Sequence, residues 1–176
     1  MLQGVETVTS AYGFSGFEPN TVLMGWSGDA HSAENLAAVL KNMRSKNLNT
    51  IFLDYHKENG FGRKQQIDIW WNGKGRHLSF SLNMMRFILN DPRWRDAQLR
   101  ILIVNSDSSL NDSIYSNTAG ILQEKRIKAE IKLLSDDFGS RSRSELINSE
   151  SIDADLLLLG LSEHGKANMA QYISTV

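Results

Sequence analysis

Gly160-Leu161-Ser162-Glu163-His164-Gly165-Lys166-Ala167 has the spacing of a phosphate-binding loop: four residues between two glycines, then a lysine. The segment follows an apolar run and precedes a helical stretch. In that setting backbone N–H groups and a helix N-terminus turn toward phosphate oxygens. Ala167 stands where the pattern needs a hydroxyl for Mg²⁺, so metal-assisted hydrolysis lacks half its machinery. Nucleotide binding without hydrolysis is the milder expectation. Gly160, Ser162, Gly165 and Lys166 then form one wall. Ser27, Gly28 and Asp29, after the first strand, face them across the carboxyl ends of the strands, where open α/β sheets bind ligands. The plain alternative is a glycine turn that needs no ligand.

Other reactive patterns lead to less. Asp137-Phe138-Gly139 copies a magnesium-binding tripeptide of kinases, but no glycine-rich loop or strand lysine accompanies it, and it reads as a turn. His31, His56, His77 and His164 include no pair at metal-ligand spacing. His77, beside Arg76, reads as a solvated residue. No Gly-x-Ser-x-Gly elbow occurs, which argues against a serine hydrolase. Cysteine is absent, which excludes thiol nucleophiles, disulfides and Cys-ligated metals. Ser140 to Ser144, with Arg141 and Arg143, reads as a solvated loop and helix cap, with a kinase target or anion site as its functional alternative. The sequence points to no catalytic residue and no metal site.

Contact chemistry is more prominent. Gln66-Ile67-Asp68-Ile69-Trp70-Trp71 alternates on a strand period and ends in two tryptophans, which must point to opposite faces. One can enter the core; the other needs a covering helix, a sheet edge or a partner. The next helical stretch, Leu78 to Asn90, is apolar nearly all round, so it is buried or covered by another subunit. Trp70, Trp71, Phe80, Met84 and Phe87 are the candidate interface residues.

The elements that must position these groups alternate along the chain. Strand-like runs at Thr21–Trp26, Thr50–Tyr55, Ile67–Trp71, Leu99–Val104, Ile131–Leu134 and Asp155–Leu161 are separated by helical periods. Ser32 can cap a helix with Leu36, Val39, Leu40 and Met43 on one face. Asp91-Pro92 stops the apolar helix, Asn111 opens another, and Ser142 with Glu145 fits a capping box. The pattern predicts an α/β fold with a mainly parallel, doubly wound sheet and helices on both faces. Ile67–Trp71 is expected as an edge or antiparallel strand, because the loop before it is too short for a helical crossover.

The chain has 176 residues, 41% hydrophobic and 22% charged, with a net charge of −1. That is enough for one compact domain, and it gives no electrostatic reason to bind nucleic acid or anionic lipid. The longest apolar run, Leu156 to Leu161, falls far short of the roughly 20 residues of a spanning helix. The sequence therefore predicts no direct membrane insertion, and the start lacks the pattern of a signal peptide.

Pro19-Asn20-Thr21-Val22-Leu23-Met24-Gly25-Trp26 and Ile67-Asp68-Ile69-Trp70-Trp71, in this order, resemble the cytoplasmic C-terminal domain of the cation-chloride cotransporters, membrane symporters of chloride with sodium or potassium. Gly13-Phe14-Ser15-Gly16 is similar to the turn that ends that family's juxtamembrane helix. Trp94 to Ile101 is similar to its tryptophan-led entry into a strand, and Asp155 to Leu161 to its late apolar strand. The resemblance implies a juxtamembrane linker over 1–18 and a single regulatory domain over 19–176, with a further apolar strand expected beyond Val176. It implies a fold similar to the universal stress proteins and a homodimer on the cytoplasmic side of the membrane. It also implies a non-catalytic role beneath a transmembrane transport domain of the same, prokaryotic polypeptide. Universal stress proteins hold ATP near a glycine-bearing loop after a late strand, which makes ATP or ADP the ligand to expect at Gly160. A free-standing nucleotide-binding protein of that type is the rival reading.

Overall fold

The computed structural model describes residues 20–26, 32–73, 77–135 and 142–160, with side chains in the first helix described from residue 38. The chain forms two compact units, the second running from Phe61 to Ser162.

The described part of the first unit is β1 (Thr21–Gly25), α1 (Ser32–Ser45) and β2 (Asn49–Leu53), with the two strands paired in parallel. The Asn20-Thr21 pair does local work. The Asn20 carbonyl accepts from the backbone N–H of Asn49 at 2.8 Å and from its side-chain amide at 3.1 Å, which fixes the register of β1 on β2. At the other end Trp26 N–H donates to the Leu53 carbonyl at 2.7 Å, and its ring meets Phe52 edge-on at 5.7 Å. Helix α1 stops at Asn47, whose φ of 55° is left-handed. Asn tolerates that conformation better than most residues. The turn lets the Leu48 N–H close back on the Met43 carbonyl at 2.9 Å.

The second unit is one four-stranded parallel sheet, ordered β5-β4-β3-β6. Its elements are β3 (Gln66–Trp71), α2 (His77–Ile88), β4 (Gln98–Asn105), a 3₁₀ turn (Ser108–Leu110), α3 (Asn111–Lys125), β5 (Glu130–Ser135), α4 (Arg143–Glu150) and β6 (Leu156–Leu159). The α/β class, the parallel strands and the helices on both faces are as the sequence predicts. One face carries Ile67, Ile69, Trp71, Leu99, Ile101 and Ile103 under α2 and α3. The other carries Trp70 and Leu102 under Leu146 of α4. A fully buried side chain of this size contributes about 1.5–3 kcal/mol, so the first, larger cluster dominates the stability of the unit.

The expectation for β3 is corrected. It is neither an edge nor antiparallel: it pairs in parallel with β4 on one side and β6 on the other. The short loop before it needs no crossover, because β3 starts a new sheet instead of joining β2. Five of its six residues are buried, the near-continuous burial of a central parallel strand covered on both faces.

Candidate functional site

The order β5-β4-β3-β6 contains a reversal. From β3 the chain steps outward through α2, β4, α3 and β5, then returns through α4 to lay β6 on the far side of β3. The carboxyl ends of β3 and β6 are thus the topological switch point of the sheet. His77, the first residue of α2, sits there against Gly160, the residue after β6. A Cβ built on Gly160 would lie 2.9 Å from both Cε1 and Nδ1 of the imidazole, so a larger residue there would have to push the ring aside. Burial holds the His77 pKa below its usual value, and Nε2 is enclosed without a hydrogen-bond partner. Burial therefore favours the neutral ring. His77 is largely enclosed, not solvated as the sequence suggested, because Gly160 admits the ring. No neighbouring sequence pattern signals that pairing.

Of the residues expected at a nucleotide site, Gly160 is the one the structure describes. Ser27, Gly28, Asp29, Ser162, Gly165 and Lys166 lie outside the described residues, as do Asp137-Phe138-Gly139 and residues 1–19. The neighbour of β6 is β3, so the turn that the sheet sets beside Gly160 is the one that follows Trp71. Among the described residues no group of three His, Asp or Glu side chains can hold a metal ion, and no helix is long and apolar enough to cross a membrane.

The interface candidates separate by exposure. Trp70 and Trp71 are 2% and 7% exposed and point to opposite faces, each into a core cluster. Trp70 also donates from Nε1 to Ser151 Oγ at 2.9 Å. Phe80 and Met84 are half-buried. Phe87, one turn further along α2, is 81% exposed. Among these five, Phe87 is the side chain that presents a free apolar surface, with Met84 and Phe80 behind it at helical spacing.

The α4 face of the sheet holds a polar cluster that sequence inspection passed over. Asp68 on β3 is fully buried and lies in register with Arg100 on β4. The guanidinium donates to both carboxylate oxygens, Nε at 2.8 Å and Nη2 at 2.6 Å. Nη2 also donates to the carbonyl of Glu150, at the end of α4, at 2.9 Å. A cation there satisfies a helix C-terminal carbonyl and suits the dipole. Lys132 on β5 pairs with the Glu150 carboxylate. This lattice positions α4. An Asp inside an otherwise apolar strand was the available signal for it.

Among solved structures, the chain is similar to the cytoplasmic domain of a prokaryotic cation chloride cotransporter, with a TM-score of 0.69 and 15% identity over 97% of this chain. The chain spans 63% of the length of that structure. At this identity the likeness establishes the fold. No protein-family model matches the sequence, and no curated protein does.

Proposed function

We propose that this chain is the cytoplasmic regulatory domain of a prokaryotic cation-chloride cotransporter and acts through contacts, not catalysis. One observation carries the reading: the fold likeness extends over 97% of the chain, and the motifs that carry the sequence resemblance fall on structural joints of that fold. Asn20 sets the register of β1 on β2. Trp70 and Trp71 fill the cores on the two faces of β3.

In this reading the domain pairs with a second copy beneath the membrane, through the outer face of α2 around Phe87. Packing against the transport unit then biases that unit's conformational equilibrium. A signal received by the domain shifts transport only by its difference in affinity between the two states. The genomic frame upstream of Met1 tests the proposal. It is expected to encode a series of apolar spans of roughly 20 residues each. A native start at Met1 with no such spans overturns it in favour of the free-standing nucleotide-binding protein.

A further inference from the structure

Asparagine followed by glycine occurs twice, at Asn59-Gly60 and at Asn72-Gly73. The pair is chemically labile. The backbone nitrogen of the second residue can attack the side-chain carbonyl of the first, and glycine has no side chain to shield that nitrogen. Both asparagines are exposed, and both glycines sit at positive φ, 57° and 74°. Dipeptide and exposure make the two sites equals. The fold separates them.

At the first site the nitrogen is engaged. Gly60 N–H donates to the His56 carbonyl at 2.8 Å, and Asn59 N–H donates to His56 Nδ1 at 3.3 Å, so the turn is closed at both residues. It is also walled: a Cβ on Gly60 would stand 3.3 Å from the Tyr55 hydroxyl. At the second site the Gly73 N–H meets no acceptor among the described residues, and nothing lies within 4 Å of a Cβ built there. Trp71, the last residue of β3, is buried in the larger core cluster. The chain thus leaves a fixed strand into an open turn whose nitrogen is available.

We propose that Asn72 is a site of spontaneous deamidation, and that the fold protects Asn59 from the same reaction. The Gly73 nitrogen gives its proton to a base in the solvent and bonds to the carbonyl carbon of the Asn72 side chain. The carbon–nitrogen bond of the side-chain amide breaks, and ammonia leaves. Water then opens the five-membered imide at either carbonyl. One opening gives aspartate. The other gives isoaspartate, which adds one methylene to the connection from β3 to α2. Either product places a new carboxylate at the carboxyl end of β3, beside the end of β6. Open α/β sheets receive ligands at that edge, so an anion binding there is held less well by the aged chain than by the fresh one. The site stands on the geometry of each turn by itself and survives failure of the transporter reading.

Incubation of the full chain at mildly alkaline pH, followed by peptide mass mapping and labelling with isoaspartyl methyltransferase, reads both sites at once. In the folded chain Asn72 is expected to convert about tenfold faster than Asn59, the factor that one backbone hydrogen bond of ordinary strength supplies. In urea, where neither turn exists, the two rates are expected to converge. Asn72→Gln is expected to remove most of the label from the folded chain. Equal rates in the folded chain, or a faster Asn59, overturn the assignment. A ratio that persists unchanged in urea overturns it as well, since local sequence and not the fold then sets it. An Asn72 that stays intact when folded and converts only in urea shows a protected turn and has the same consequence.

Discussion

Asp68 is the side chain whose loss the sheet tolerates least. It is fully buried, and among the described residues its charge is matched by Arg100. Asp68→Ala removes the carboxylate that both guanidinium bonds use and leaves Arg100 with the Glu150 carbonyl; removal of one partner of a buried pair costs up to roughly 3–5 kcal/mol. Replacing both partners, Asp68→Leu with Arg100→Met, is expected to recover most of the loss in urea unfolding; a double variant as unstable as the single one contradicts this account of the pair. Asp155 behaves differently. Burial pushes its pKa up, but the backbone N–H groups of Gln65, Gln66, Arg63 and Lys64 together outweigh that and hold it below the usual carboxylate value. A depressed folded pKa means the contribution is complete above the unfolded value of about 3.9 and is lost as pH falls through the folded one. The urea midpoint is therefore expected to fall below about pH 4, and Asp155→Asn to show a shallower fall. An identical acid profile in the variant contradicts the assignment. Sequence patterning shows an Asp in an apolar strand, but it cannot show which cation lies in register. The same limit hides the contact of His77 with Gly160, which joins residues far apart in the chain.

Helix α2 shows what an element decides. Leu82 on its inner face is 0% exposed and Phe87 on its outer face 81% exposed. Leu82→Ala is expected to cost roughly 2–5 kcal/mol as a core cavity. If the proposed pairing uses this face, Phe87→Glu is expected to shift the chain toward monomer in light scattering and to lower the thermal midpoint only at concentrations where the wild type is dimeric; dimers that persist in the variant exclude this face as the interface. At the end of α3 a different economy applies. Arg126 caps that helix with a left-handed φ of 54°, a conformation glycine adopts freely. Arg126→Gly relieves about 1–2 kcal/mol of left-handed strain against about 0.4–1 kcal/mol of extra freedom in the unfolded chain, and is thus expected to raise the midpoint. The elements themselves were legible. Strand runs, the stop at Asp91-Pro92 and the capping box at Ser142 and Glu145 all stand where local chemistry puts them. The placement of β3 was not legible. Its apolar run fits an edge or a centre equally well, and only the pairing of β6 on its far side makes it central.

The chain forms two compact units, whose described residues include a two-stranded parallel sheet in the first and a four-stranded one in the second. Among the described residues, Gly160 packs against His77 at the switch point and Phe87 stands exposed on α2. The fold likeness to a cotransporter's cytoplasmic domain covers nearly the entire chain and 63% of that structure, and the proposal built on it is that the chain works as part of a membrane transporter. The native polypeptide tests that most directly. Antibody raised against this chain, applied to carbonate-washed membranes and to the soluble fraction of the source cells, reads both its size and where it resides. The account predicts a membrane-embedded polypeptide several times longer than 176 residues, with this sequence inside it. A soluble polypeptide of this length alone would contradict it.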